Sequence, residues 1–218
     1  MGIFKPFFVF GKDASASICA NLIYEFSHSF FGISASEINA YAQIMNPVAN
    51  VESILIDYNG CKVRAKRLTV HSEIPIRIDT AWNNVKTPAL LLFVAKGMMK
   101  LKSVDGPFPK QWEAEKTYAI KTRVFGLIPF GGIHYLSIVK IDDNNFALST
   151  KEWDSGAKVW NHNIIMRDLG DGKIYYEDSI VIYGGMMTGF ITSFAKIFYK
   201  HRQKRWQIVA ANKLEFGN

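Results

Sequence analysis

The stretch that most constrains this fold lies near the C-terminus, from Met186 to Trp206. Phe190, Ile191, Phe194, Ile197 and Phe198 recur at steps of three and four residues, so they form one apolar stripe on a helix. Gly184-Gly185 punctuates its start, and no proline interrupts it. A helix over 186–209 is roughly 36 Å long at about 1.5 Å per residue. An aromatic stripe of that length needs a broad apolar surface to lie on.

The preceding residues are predicted to supply that surface as a sheet. Strands are expected near 97–104, 116–125, 132–141, 145–152, 159–168 and 173–183. The turn sequences Asp105-Gly106-Pro107, Pro129-Phe130-Gly131-Gly132, Asp142-Asp143-Asn144-Asn145, Asp154-Ser155-Gly156 and Gly170-Asp171-Gly172 separate them. Short sequential loops imply antiparallel neighbours. Upstream, Val51–Tyr58 and Cys61–Val70 flank Asn59-Gly60, the preferred two-residue turn of a hairpin, and the second strand can run on to Ile74. Between hairpin and meander, Asp79–Val85 reads as a short helix with an Asp or Thr cap. Thr87–Ala95 reads as a second helix, with Pro88 at its first position.

The first 50 residues carry weaker signals. Phe7–Phe10 suits a short strand, and residues 17–31 suit a helix. Ser34-Ala35-Ser36-Glu37 fits a capping box that opens another helix, ended by Asn46-Pro47. We expect two regions: 1–67, a helical extension and hairpin strand packed on the main domain, and 68–218, the main domain. The class is α+β, a curved antiparallel sheet wrapped around a long C-terminal helix.

At 218 residues with 49% hydrophobic and 21% charged side chains, the chain can bury a real core. Cys19 and Cys61 have no CxxC spacing and no His pair beside them, which suits free thiols and a reducing, cytoplasmic setting. No run of eighteen uncharged apolar residues predicts a membrane span. Much of the +7 net charge falls in Lys62–Arg67 and in the run from Lys196 to Arg205. The second run is read as a solvated helix end whose cations complement the macrodipole, not as a nucleic-acid patch; peripheral contact with a membrane surface stays compatible with it. Gly126–Gly132 lacks the Lys-Ser/Thr of a phosphate loop.

From strand to helix pair to antiparallel meander to long C-terminal helix, this order of elements resembles the helix-grip fold of the START-like (SRPBCC) superfamily. Leu68-Thr69-Val70, Ile74-Pro75-Ile76, Ala81-Trp82, Val85 and Pro88 resemble its first strand and helix pair. Trp160-Asn161-His162, Tyr176-Glu177-Asp178, Gly184-Gly185, Phe198-Tyr199, His201-Arg202-Gln203 and Arg205-Trp206 resemble its ligand-binding bacterial branch. The resemblance covers roughly 68–210. It implies the fold, and it spans carriers, aromatic polyketide cyclases, co-chaperone-type domains and oxygenase ligand domains, so the site must decide function.

Alternation along strands selects the residues that share a face with apolar neighbours. On that parity Thr122 joins Ile120 and Val124; His134 joins Leu136 and Ile138; Glu152 joins Leu148 and Thr150. His162 joins Trp160, Ile164 and Met166, and Asp178 joins Tyr176, Ile180 and Ile182. A β-bulge would reverse any of these assignments. His134, Glu152, His162 and Asp178 are the candidates for catalysis. They are read as a satisfied polar cluster in a cavity wall, as outward solvated groups, or as an acid/base or metal site; no metal-motif spacing supports the last, and neither a metal nor a cofactor is assigned. The candidate ligand-binding set is Thr122, His134, Leu136, Glu152, Trp160, His162, Ile164, Met166, Tyr176, Asp178, Met187, Phe190, Ile191 and Phe194. Phe190, Ile191 and Phe194 are expected to face the cavity, with Arg202 and Arg205 at the solvated end. Met98, Met99, Met166, Met186 and Met187 suit adaptable walls or plain core filling.

The leading expectation is a non-enzymatic carrier or sensor that holds a hydrophobic lipid, aromatic or polyketide-like molecule between sheet and helix. One alternative is a cyclase-, dehydratase- or hydrolase-like enzyme using the same His and carboxylate groups for proton transfer. Another is an interaction module that docks through the basic helix end. The sequence leaves the ligand and the oligomeric state open.

Overall fold

The computed structural model describes residues 46–217, apart from the side chains of 129–131. The expectations for Phe7–Phe10, for the helices at 17–31 and 34–45 and for Cys19 lie outside the described residues. Eight strands form one antiparallel sheet: β1 (Val48–Tyr58), β2 (Cys61–Ile74), β3 (Met99–Ser103), β4 (Thr117–Val124), β5 (Ile128–Asp142), β6 (Ala147–Trp153), β7 (Val159–Gly170) and β8 (Lys173–Tyr183). Their spatial order is β1-β2-β8-β7-β6-β5-β4-β3. Three helices accompany the sheet: α1 (Ile78–Val85), α2 (Pro88–Ala95) and α3 (Thr188–Ala211), the last entered through a 3-10 turn at Gly185–Met187. The result is a curved sheet gripping a long helix, as expected.

Local chemistry explains the element ends. Asn59 and Gly60 both take positive φ, 50° and 79°, which the two-residue hairpin turn requires. The Thr87 hydroxyl accepts from the Leu90 amide at 3.1 Å and donates to the Asn84 carbonyl at 2.8 Å, and Pro88 opens α2 behind it. The expected Asp or Thr cap on α1 is not there: Arg77 holds the N-cap position without a side-chain bond, and Asp79 sits in the first turn.

The sheet is continuous across residue 67, inside β2, and β1 and β2 belong to it as edge and second strand. One compact unit begins at Ile44 and contains everything described here.

Helix α3 starts and ends two residues later than expected, and its buried face is rotated from the predicted stripe. Ile191, Ala195, Phe198, Tyr199, Arg202, Trp206 and Val209 are buried at helical spacing, whereas Phe190 and Ile197 are 62% and 63% exposed. A contact at the helix start pins this phase. Ile191 packs directly onto Gly184, where a Cβ would lie 2.5 Å from Ile191 Cδ1 and 2.7 Å from the Gly156 carbonyl oxygen. Because one of those atoms is backbone, Gly184→Ala is expected to cost about 1–3 kcal/mol, measured by urea unfolding; an unchanged midpoint would contradict this seating of the helix.

The buried apolar side chains form two clusters. One gathers Trp82, Leu90, Trp112, Leu136, Ile138, Tyr176 and Trp206. The other joins Leu68, Val70, Ile180 and Ile182 to Ile191, Ala195, Phe198 and Tyr199 of α3. Helix α3 packs on β2, α2 and β8.

Candidate functional site

Where the two clusters meet, a cavity of about 110 Å³ remains. Its walls come from β3 to β7 on the sheet side and from α2 and α3 on the helix side. Leu136, Ile138, Leu148, Ile164, Trp112 and Phe194 supply much of the apolar surface. Sheet alternation delivers this: Ile120, Leu136, Leu148, Trp160 and Ile164 are all buried, on the face that looks toward α3.

The polar part of the wall is a connected network. His134 lies between two carboxylates, with Nε2 2.8 Å from Glu152 Oε2 and Nδ1 3.0 Å from Asp154 Oδ2. The Thr150 hydroxyl donates to Glu152 Oε1 at 2.6 Å. His162 Nε2 is 2.8 Å from Asp178 Oδ1, and its Nδ1 is 3.9 Å from Glu152 Oε1, too far for a hydrogen bond. Asp178 also accepts from the Tyr176 hydroxyl at 3.2 Å and from Gln203 Nε2 at 3.1 Å. Asp154 Oδ1 accepts the Gly156 and Ala157 amides at 2.8 and 2.7 Å, so one carboxylate closes the β6–β7 turn and faces His134.

The charges follow from these contacts. Burial alone would push the His134 pKa down, but the bonds to Asp154 and Glu152, and their charges, raise it to about 9. At neutral pH it is an imidazolium with both N–H groups engaged. Burial would raise Glu152 and Asp154, yet the bond from His134 holds both carboxyls below their ordinary value. Asp178 is likewise held low against burial, by the Arg202 charge and then by His162. Burial and the neighbouring carboxylates keep the Tyr199 phenol protonated, and the Trp160 indole N–H donates to its oxygen at 3.1 Å.

Of the residues singled out from the sequence, Thr122, His134, Leu136, Glu152, Trp160, His162, Ile164 and Phe194 line the cavity. Asp178 is fully buried just behind it, reached through His162. Met166 and Tyr176 are buried in the adjoining cluster instead of at the wall, and Ile191 fills the contact with Gly184. Met187 and Phe190 are exposed, because the phase of α3 turns them to solvent. Met99 is the methionine that lines the cavity; Met186 is exposed.

Arg202 and Arg205 are not at a solvated end. Both are buried. Arg205 is covered by α2, where its Nε donates to the Phe93 carbonyl at 2.7 Å and its guanidinium lies 4.3 Å from the Phe93 ring centroid. Arg202 instead lines the cavity, with its guanidinium 4.8 Å from the Tyr199 ring centroid. Two cations of the basic run are therefore withdrawn from the surface, while Lys196, Lys200 and Lys204 keep at least partial exposure. Asp154, Thr150, Tyr199 and Arg202 line the cavity although the sequence reading did not assign them to it. Asp154 carried a legible signal: Asp-Ser-Gly after a strand predicts a carboxylate that caps its own turn.

Among the described residues, no group of three or more His, Cys, Asp or Glu side chains is placed to hold a metal ion, and no helix is long and apolar enough to cross a membrane. No protein-family model and no curated protein matches the chain. Solved structures do. The major latex-like protein 151 of Panax ginseng aligns at a TM-score of 0.52 and 14% identity, over 67% of this chain and 97% of that one. Norcoclaurine synthase from Thalictrum flavum, in complex with dopamine and hydroxybenzaldehyde, aligns at 0.51 and 10% identity, over 78% and 91%. A START superfamily protein from Mycobacterium smegmatis aligns at 0.50 and 6% identity, over 68% and 99%. At such identities the likeness is one of architecture, and with the sheet order and the gripped helix it gives the conclusion: this chain has the START-like, helix-grip fold.

Proposed function

We propose that the protein binds a compact, largely apolar small molecule in the cavity between sheet and α3, as a carrier or sensor that does not transform it. The cavity itself carries this reading: natural cores close to organic-crystal density, and an apolar void of about 110 Å³ beside a satisfied polar network is room kept for a guest. Its size favours a single ring over a fused ring system or a long-chain lipid, since a somewhat larger engineered apolar cavity of roughly 150 Å³ holds benzene. The norcoclaurine synthase that shares this architecture is found in complex with dopamine and hydroxybenzaldehyde, both single-ring aromatics. Burying roughly 200 Å² of aromatic surface stabilises a complex by about 5 kcal/mol before the costs of association. Unaided apolar contact therefore gives weak binding.

A cavity-filling substitution tests this. Leu136→Phe adds volume into the void, so the usual cost of overpacking is expected to vanish and the thermal midpoint to hold or rise. Toluene binding, read by fluorescence of Trp112 and Trp160 in the wall, is expected to weaken at least about tenfold, roughly 1.4 kcal/mol. A variant that binds toluene as the parent does would place the ligand elsewhere.

One observation favours a second reading, an acid–base enzyme. His162 faces the cavity with Asp178 behind it at 2.8 Å, the arrangement that orients an imidazole for proton transfer. His134 fits that role less well, since both its nitrogens are taken. The readings separate on the fate of the guest: a carrier returns its co-purified molecule unaltered after prolonged incubation, and an enzyme converts it.

A further inference from the structure

Accounting for hydrogen bonds around the cavity leaves one imbalance. Every carboxylate of the wall is already served. Glu152 receives Thr150 and His134, Asp154 receives His134 and two backbone amides, and Asp178 receives His162, Tyr176 and Gln203. Arg202 is the opposite case. It lines the cavity, is only 6% exposed, and among the described residues has no carboxylate within 4.0 Å and no hydrogen-bond acceptor on Nε. Its described contacts are the faces of Tyr199, 4.8 Å from the ring centroid, and Phe198, 5.8 Å away. Stacking on rings offsets part of the lost hydration but offers no acceptor to the N–H groups. A guanidinium presents up to five donors in a planar fork that matches a carboxylate. Of the residues with a buried side-chain polar atom that lacks a partner among the described residues, Arg202 is the one that lines the cavity.

We propose that the ligand is a small aromatic carboxylic acid, bound as its anion, with the carboxylate on Arg202 and the ring against Leu136, Ile138, Trp112 and Phe194. This rests on the cavity reading above and adds a charge requirement to it. Glu152, Asp154 and Asp178 restrict the head group to a single charge, because a second would meet three carboxylates nearby. Burial works against the Arg202 charge, but Asp178, with Tyr199, Tyr176 and Glu152 adding to it, outweighs burial and raises the pKa, so the group stays cationic. The same contact would lift the weak binding of a bare ring into a useful range, because charge-assisted bonds in a dry site are the strong ones.

The test compares two isosteres that differ in charge, benzoate and benzamide, by titration calorimetry at neutral pH. The protein is expected to bind the acid at least about tenfold more tightly than the amide. Arg202→Met is expected to bring the ratio of acid to amide affinity to about one, and Arg202→Lys to fall between. Equal binding of acid and amide, or preference for the amide, would overturn the acidic-ligand inference and leave the cavity reading intact. Binding of neither would remove the cavity reading and the inference with it. The unmodified protein alone decides among these outcomes, so a poorly folding Arg202 variant does not blunt the test.

Discussion

Asp178→Ala is expected to destabilise the protein by roughly 3–5 kcal/mol, enough to unfold many domains of this size near body temperature. Asp178 is 0% exposed and accepts from His162, Tyr176 and Gln203. It is also the largest carboxylate influence on buried Arg202. Removing it orphans three donors and leaves a buried cation uncompensated, which costs far more than the packing lost with a small side chain. Asp178→Asn keeps the shape and some of the bonds and should cost less, so its midpoint should lie between parent and Ala in urea unfolding. A loss under about 1 kcal/mol for Ala would mean that Arg202 is balanced elsewhere and that the network is misassigned.

The second large effect is a dependence on alkaline pH. His134 titrates near 9 in the folded chain against about 6.5 unfolded. Its folded pKa is raised, so its contribution is fully present below about 6.5, falls as pH climbs, and is gone above about 9. At about 1.4 kcal/mol per unit the loss is roughly 3 kcal/mol, with little discount because the side chain is 15% exposed. The carboxylates act at the other end: Glu152, Asp154 and Asp178 are held below their ordinary values, so their contribution is lost as pH falls below about 4. Unfolding free energy should therefore be highest between about pH 5 and 6.5 and decline toward 9. His134→Gln should lower the plateau and flatten the alkaline decline; a decline that survives unchanged would assign it to another group.

The sheet was legible because its signals are local. Asn59-Gly60 and most of the Asp- and Gly-rich turns mark where strands end, although the turn expected at 129–132 lies inside β5 and the chain reverses at 125–127 instead. Period-two alternation then places His134, Glu152, His162 and Asp178 on one face. That alternation was exposed to bulges. One occurs in β5 between Ile138 and Lys140, but it falls beyond His134 and Leu136, so their facing survives. The helix was legible in extent and not in phase. A stripe of large apolar side chains drew the eye to Phe190 and Ile197, whereas the buried face is set by small or polar residues, Ala195 and Thr192, and by the Gly184 contact. Arg202 and Arg205 were unreadable for a related reason. A charged run at a helix end normally faces water; tertiary packing encloses these two, α2 over Arg205 in a contact between residues about a hundred positions apart, and the cavity wall around Arg202.

The central claim is an internal cavity kept for a small guest, and native mass spectrometry of the protein isolated gently from its own source tests it most directly. The expected spectrum shows the chain mass plus one discrete increment of a small organic acid, present in the parent and missing from Leu136→Phe. A bare chain that stays bare when toluene and benzoate are added would contradict it.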